Sequence, residues 1–147
     1  MKLIEILKGK TVLSFTIHEH GLCILGLSGD YALSAECLVR FIGADGSFFT
    51  VRDHGQQFGL PAPFDAAAAI EERMKGRVID RASIREEISD LSLYLGSDCL
   101  EVICDSSGYE AYNLRGPGDL IVVAHGGKEA PIQPPQTTPG SSAPLRV

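Results

Sequence analysis

The stretch Met74-Lys75-Gly76-Arg77-Val78 decides the fold, because it nearly repeats Leu7-Lys8-Gly9-Lys10-Thr11-Val12 near the start of the chain. Each copy opens a run of about 50 residues with the same order of features. A β-rich segment comes first, then a turn containing Gly and Asp, then an apolar strand ending in His-Gly. That closing pair is His54-Gly55 in the first copy and His125-Gly126 in the second. The pattern predicts two related β units.

We therefore predict an α+β fold, in which two related antiparallel β-rich units, produced by an internal duplication, pack together with a connecting helix. Units of this size bury too little apolar surface to be stable alone, so we expect one joined domain. The predicted domain spans residues 1–127. It consists of the repeats 1–55 and 74–127, and the linker helix covers residues 65–75.

Local signals place the helices and strands. Asp65 is a good N-cap for the Ala-rich run 66–74, and Gly76 is a natural stop, as Gly9 is for a short helix over 2–8. Alternating or continuous apolar runs predict a four-strand meander in the first unit and five strands in the second. The predicted strands cover residues 10–17, 22–27, 31–39 and 48–52, then 77–84, 90–95, 99–104, 109–114 and 120–124.

The last part of the chain, residues 128–147, has a different composition. It contains five prolines, with Gln, Thr, Ser and Gly between them. Such a segment has little apolar surface to bury, so we expect a disordered tail.

The net charge of −6 is distributed unevenly. Residues 77–127 hold nine acids and four arginines, whereas residues 1–55 hold six acids and five bases. An acidic surface repels phosphate backbones, so we expect no nucleic-acid partner; it would suit a basic protein. Ordinary solubilising charge is the alternative reading.

No apolar run approaches the roughly 20 residues of a membrane span, and the first residues do not form a signal-peptide core. We predict a cytoplasmic protein without a membrane partner. The four cysteines show no Cys-x-x-Cys pair. Cys23 and Cys99 lie in apolar, strand-like runs, so we expect both to be buried reduced thiols.

The most metal-like feature is His18-Glu19-His20. In a strand, residues i and i+2 project to one face, where two imidazoles can share a Zn²⁺ or Ni²⁺ ion. A third ligand is still required, and the pair stands at a predicted turn where polar residues are expected anyway. We therefore treat His18 and His20 as weak metal candidates and predict no cofactor.

A second group of side chains suggests a protein interface. It combines acids with tyrosines, which supply the amphipathic area that anchors interfaces. The alternative is that the tyrosines fill the sheet and the acids are merely solvated. The candidate partner-binding residues are Glu86, Glu87, Asp90, Tyr94, Glu101, Tyr109 and Tyr112.

Short motifs close the second unit: Tyr109-Glu110-Ala111-Tyr112-Asn113-Leu114, Gly116-Pro117, Ile121-Val122-Val123 and Gly126-Gly127. This ending resembles a family of small, uncharacterised bacterial proteins that close on Tyr-Glu-Ala-Trp-x-Leu, Gly-Pro, an apolar strand and Pro-Gly-Gly. The chain departs by having Tyr112 for the Trp and His125 for the Pro. Family members are often encoded near secreted or polymorphic toxins. The resemblance, which covers residues 74–127, thus implies an immunity role and supplies no catalytic residues.

The sequence contains no nucleophile elbow, phosphate loop or dinucleotide fingerprint. Our first hypothesis is therefore a non-enzymatic bacterial immunity protein, which binds a cognate toxin with a basic surface and occludes its active surface. The first alternative is a structural or interaction domain that associates with itself as a homodimer. The second alternative is a small metal-dependent enzyme that uses His18 and His20.

Overall fold

The computed structural model of the chain describes residues 2–107 and 109–125. The mixed α+β class is confirmed, and the strand pairs of both sheets are antiparallel. The helices are α1 (Leu3–Leu7) and α2 (Ala66–Met74). The strands are β1 (Val12–Ile17), β2 (Cys23–Leu27), β3 (Tyr31–Ala35), β4 (Leu38–Ile42), β5 (Phe48–Thr50), β6 (Arg81–Arg85), β7 (Asp90–Leu95), β8 (Asp98–Ile103), β9 (Glu110–Gly116) and β10 (Leu120–His125).

The strands form two five-stranded sheets that exchange hairpins. Sheet 1 has the order β1-β2-β3-β9-β10, and sheet 2 has the order β5-β4-β8-β7-β6. Each sheet thus consists of three consecutive strands from one half of the chain and a two-strand hairpin from the other half. The predicted four-strand meander of the first unit is wrong on this point, because β4 and β5 complete sheet 2 rather than sheet 1.

The exchange begins at Glu36 and Cys37, where the chain leaves sheet 1. The predicted strand over residues 31–39 is therefore two strands, β3 and β4. The backbone N–H of Glu36 donates to the carbonyl of Ala111 at 2.9 Å, which holds the bend beside β9. Beyond it, Val39 and Phe41 become buried side chains of sheet 2. The alternation of apolar residues continues through the bend, which is why the sequence pattern does not reveal it.

The two repeated segments lie side by side. Residues 77–79, predicted as the start of a strand, pair with residues 10–12 instead, and β6 begins only at Arg81. Thr11 and Val78 form an isolated antiparallel bridge. The two stretches that the sequence repeats are thus partners in space.

Helix α2 matches its prediction at both ends. The Asp65 side chain accepts a hydrogen bond from the N–H of Ala68 at 3.0 Å, and Gly76 has a φ of +83° just past the last turn. Such an N-cap typically contributes about 1 kcal/mol to helix stability. The helix contacts β1, where the Glu71 carboxylate accepts from the N–H of Phe15 at 3.0 Å.

The core lies between the inner faces of the two sheets. Leu91, Leu93 and Leu95 alternate along β7 and are at most 1% exposed, as the sequence predicts. Burying each such side chain contributes about 1.5–3 kcal/mol relative to leaving it in water. Residues of both sheets meet around one small void, which is lined by Phe15, Cys23, Leu25, Leu33, Ala35, Val39, Leu100 and Val102.

The predicted tail, residues 128–147, and the Gly126-Gly127 end of the predicted second repeat lie outside the described residues. Within the described part of the chain, no helix combines the length and the apolar character needed to cross a membrane.

Candidate functional site

Three of the predicted partner-binding residues, Asp90, Tyr94 and Glu101, lie on the outer face of sheet 2. Asp90 and Tyr94 stand on β7, and Glu101 stands on the neighbouring strand β8, where it pairs with Ser92. Side chains of a strand alternate between the two faces, so the leucines between these residues point into the core. The face is therefore built from the polar half of the same alternating pattern.

One end of this face is apolar and exposed. Cross-strand pairing places Phe48, Ile42, Cys99, Tyr94 and Arg81 in one row across the five strands. Phe48 is 55% exposed and Ile42 is 37% exposed. The guanidinium carbon of Arg81 lies 3.9 Å from the centroid of the Tyr94 ring, so the aromatic surface of Tyr94 is partly covered by a cation.

The next row is charged and contains both signs. The Arg40 Nε donates to Glu101 at 2.5 Å, with side-chain exposures of 36% and 22%. Arg40 and Glu101 line a concavity of about 380 Å³, together with Ser83, Ile84, Arg85, Asp90, Ser92 and Ile103. Asp90 accepts a hydrogen bond from the N–H of Cys104 at 2.8 Å. Glu101 and Asp90 are thus engaged within the chain, and this end of the face carries charges of both signs rather than acids alone.

Glu86 and Glu87 lie in the turn that joins β6 to β7, and both are exposed. The turn is closed by the N–H of Ser89, which donates to the carbonyl of Arg85 at 2.7 Å. Because Arg85 pairs with Asp90 across the two strands, the turn adjoins the charged end of the outer face of sheet 2. Five of the seven predicted residues therefore lie on this face or at its margin.

The two remaining tyrosines do not join them. Tyr112 is 1% exposed in the core, and its hydroxyl donates to the carbonyl of Ser89 at 2.8 Å. It is thus a core residue that a partner cannot contact, in agreement with the alternative that tyrosines fill the sheet. Tyr109 is 81% exposed and lines a separate concavity of about 500 Å³, with Glu36, Asp105, Ser106, Glu110 and Ala111.

The metal candidates are not on a strand. His18 precedes a short 3-10 turn, Glu19–Gly21, and His20 lies inside that turn with a φ of +61°. The premise that residues i and i+2 share one face therefore fails here. The Nε2 of His18 is 2.9 Å from the hydroxyl of Thr16. Among the described residues, no group of three or more His, Cys, Asp or Glu side chains is arranged to hold a metal ion.

The cysteines are all free thiols. Cys23 is buried, as predicted, and so is Cys37, whereas Cys99 is only half-buried because it lies on the outer face of sheet 2. Burial raises the pKa of Cys23 to about 11. Burial and the neighbouring Asp90 and Asp105 carboxylates raise the pKa of Cys104 to about 11 as well. Little thiolate is present near neutral pH, so neither of these thiols is an activated nucleophile.

Sequence reasoning missed the apolar end of the face. Phe48 and Phe49 are adjacent in one strand, so only one of them can point into the core. Phe49 packs inward, near Phe41, and Phe48 is left exposed. Two consecutive phenylalanines in a short strand therefore predict that one aromatic side chain is exposed.

A comparison with protein-family models found no match, and neither curated proteins nor solved structures gave one.

Proposed function

We propose that the chain is a non-enzymatic binding protein, an immunity protein that neutralises a cognate toxin by covering the toxin's active surface. The observation that carries the proposal is the outer face of sheet 2. Its apolar end, with Phe48, Ile42 and Tyr94, stands beside a polar and charged region. This combination of an apolar patch and a polar surround is typical of protein interfaces. The toxin itself is suggested by the sequence resemblance at residues 74–127.

Charge supports a partner with a basic surface. The chain carries a net charge of −6, and Glu86 and Glu87 are exposed at the margin of the face. Acids at a rim mainly speed the encounter with a basic partner, whereas apolar contacts hold the complex together. We therefore expect Phe48 and Ile42 to contribute most of the affinity, and Glu86 and Glu87 to increase the association rate. The proposal assigns no catalytic group and no cofactor.

The proposal can be tested with the product of a neighbouring toxin gene and three variants. Phe48→Ser removes an exposed side chain from the proposed interface, and Leu13→Ser removes one of similar exposure, 50%, from strand β1 of the other sheet. We expect Phe48→Ser to weaken binding at least tenfold, and Leu13→Ser to leave binding and toxin neutralisation unchanged. The double variant Glu86→Lys with Glu87→Lys should slow association at low salt and have less effect at high salt. A purified toxin that does not bind the wild-type chain would contradict the proposal.

Self-association is a second candidate, favoured by one observation. The exposed pair Phe48 and Ile42 lies at the β5 edge of sheet 2, and β5 has only three residues. A strand as short as β5 limits backbone pairing between two copies, so the contact would rely on covering these exposed apolar side chains. Light scattering over a hundredfold dilution separates the candidates, because a chain that stays monomeric at high concentration has no homodimer interface here.

We also propose that the two halves arose by internal duplication and that the chain is cytoplasmic. In support of the duplication, strands β1 to β5 of the first half correspond in order to strands β6 to β10 of the second half. In each half the first three strands form one sheet, and the last two strands join the other sheet. In support of the cytoplasmic location, the four cysteines are free, as a reducing compartment would keep them.

A further inference from the structure

The loop between β5 and α2 is a closed and anchored structure. Its neck is held by the N–H of Gly55, which donates to the carbonyl of Phe64 at 2.8 Å, and by the N–H of Phe64, which donates to the carbonyl of Gln56 at 2.8 Å. The Phe64 ring stacks on Phe49, with ring centroids 5.7 Å apart. Phe49 in turn packs against the core. The loop thus stands on a fixed base.

The tip of the loop is a tight turn with an unusual residue in it. The N–H of Leu60 donates to the carbonyl of Gln57 at 2.7 Å, and the Gln57 side-chain amide donates to the carbonyl of Leu60 at 2.5 Å. Phe58 has a φ of +47° and Gly59 a φ of +75°. Positive φ at both central residues defines a type I′ turn, which favours Asn, Asp or Gly at the first position. A bulky residue such as Phe is strained there.

The strained residue does not bury its side chain. Phe58 is 66% exposed and Leu60 is 45% exposed. A large apolar side chain in an unfavourable backbone conformation, exposed to water, contributes little to folding. Strain of this kind is typically retained where it serves a function. The turn holds Phe58 and Leu60 outward in a fixed backbone conformation, so binding through them does not require the loop to lose further conformational entropy.

We propose that residues 55–64 form a docking loop, whose Phe58 and Leu60 insert into an apolar pocket of a partner protein. This loop is a surface separate from the outer face of sheet 2, and docking through it does not require the partner to be a toxin. An aromatic anchor in a desolvated pocket is the kind of contact that dominates binding energy at interfaces. The fixed neck and the closed turn present this anchor in one orientation.

The composition of the loop favours a protein over a membrane. Residues 55–64 contain no Lys or Arg, Arg52 just before them is paired with Asp105 at 2.8 Å, and the whole chain has a net charge of −6. Surface binding to anionic lipids relies on basic residues near the apolar ones. The concavity around Tyr109 contains three carboxylates, Glu36, Asp105 and Glu110, and the concavity around Arg40 contains charges of both signs, so neither offers a second copy an uncharged recess for Phe58.

The strain is tested on the free protein. We expect Phe58→Asn to raise the thermal midpoint by roughly 2 to 5 °C, because Asn adopts positive φ more readily than Phe. Phe48→Asn is the matched control; Phe48 is similarly exposed, but lies in an extended strand where Asn is less suited, so its midpoint should not rise. A midpoint that falls for Phe58→Asn would mean that the Phe58 side chain supports the fold, and would overturn the proposal.

Docking is tested with the full chain in its source cells, by replacing Phe58 with the photo-crosslinking residue p-benzoylphenylalanine. Leu13, 50% exposed on another part of the surface, is the control position. We expect a protein adduct from position 58 and none from position 13. The crosslinked peptide should map to an apolar pocket of the partner, and Leu60→Asp should lower the adduct yield at least tenfold.

Other outcomes of this experiment count against the proposal. It is overturned by the absence of an adduct, by an adduct of the chain with itself, or by a yield that Leu60→Asp does not change. Co-sedimentation with vesicles of phosphatidylcholine and phosphatidylserine at a ratio of 7:3 tests whether the loop binds a lipid surface rather than a protein. Vesicle binding that is lost in Phe58→Ser would assign the loop to a lipid surface instead.

Discussion

Thr11 and Val78 face each other as an isolated antiparallel bridge. Each half of the chain donates an equivalent backbone hydrogen bond to the other half beside this bridge. The N–H of Gly9 donates to the carbonyl of Ile79 at 2.8 Å, and the N–H of Gly76 donates to the carbonyl of Val12 at 2.8 Å. Gly9 and Gly76 occupy equivalent places in the two sequence repeats. The bridge thus stands where the two similar stretches, 7–12 and 74–78, meet, and it joins the two halves of the chain at the start of β1 and just before β6.

The equivalence of the two glycines leads to a first prediction. Gly9 has a φ of +87° and Gly76 a φ of +83°, and an added Cβ would have nothing within 4 Å at either position. Replacement by Ala should therefore cost only the backbone strain, about 1 kcal/mol of unfolding free energy for each variant. Urea unfolding measures both. Lys75→Ala, at an exposed neighbouring position, should stay within about 0.5 kcal/mol of wild type. Clearly unequal costs would contradict the equivalence.

The exchange of hairpins between the sheets leads to a second prediction. Sheet 1 needs β9 and β10 from the second half, and sheet 2 needs β4 and β5 from the first. A chain divided within the docking loop, into residues 1–59 and 60–147, should form a one-to-one complex when the two parts are co-expressed. Each part alone would expose the inner face of an incomplete sheet and should unfold or aggregate. Gel filtration with circular dichroism distinguishes these cases, and a folded monomer of either part alone would contradict the prediction.

The two tyrosines near the end of the described chain should differ in their effect on stability. The Tyr112 hydroxyl donates to the Ser89 carbonyl at 2.8 Å in the core, whereas Tyr109 is 81% exposed. Tyr112→Phe should lower the free energy of unfolding by about 1–2 kcal/mol, because it leaves a buried acceptor without this donor. Tyr109→Phe, the matched control, should change it by less than about 0.5 kcal/mol. Equal effects of the two variants in denaturant unfolding would show that the Tyr112 hydroxyl does not act as described.

Acid should weaken the protein through Asp98. Its carboxylate accepts from the N–H of Ala44 at 2.8 Å and from the Arg77 guanidinium at 2.6 Å. The hydrogen bond from the Ala44 N–H has the largest effect and that from Arg77 the next largest, and both lower the pKa of Asp98 below its ordinary value. The stability that this carboxylate contributes is therefore present above the unfolded pKa of about 3.9 and is lost as the pH falls through the folded pKa.

Asp98→Asn tests this relation. The variant should be less stable than wild type at pH 7, and it should lose less stability than wild type when the pH falls below about 4. Urea midpoints between pH 7 and pH 2.5 give both quantities. Asp30→Asn removes one acid from an exposed turn and serves as the control for the change in net charge. A variant profile parallel to that of wild type below pH 4 would exclude Asp98 as a source of the acid sensitivity.

Features set by neighbouring residues could be predicted from the sequence. Helix α2 begins after Asp65 and ends before Gly76 as expected, because capping depends on groups within one turn. Strand β7 matches its predicted range because alternate leucines specify one buried face. Asp90, Tyr94 and Glu101 could likewise be placed on the polar side of their strands, although their engagement by Cys104, Arg81 and Arg40 could not.

What required the tertiary structure depends on residues distant in sequence. The bend at Glu36 and Cys37 carries no local signal, since the apolar alternation passes through it, and only the partner strands β8 and β9 reveal the change of sheet. Tyr109 and Tyr112 are chemically identical, yet one is exposed and the other is buried against Ser89, a contact that spans 23 residues. Sequence patterns report which side chains prefer burial. Which strand covers them is determined by pairing energy across the whole chain.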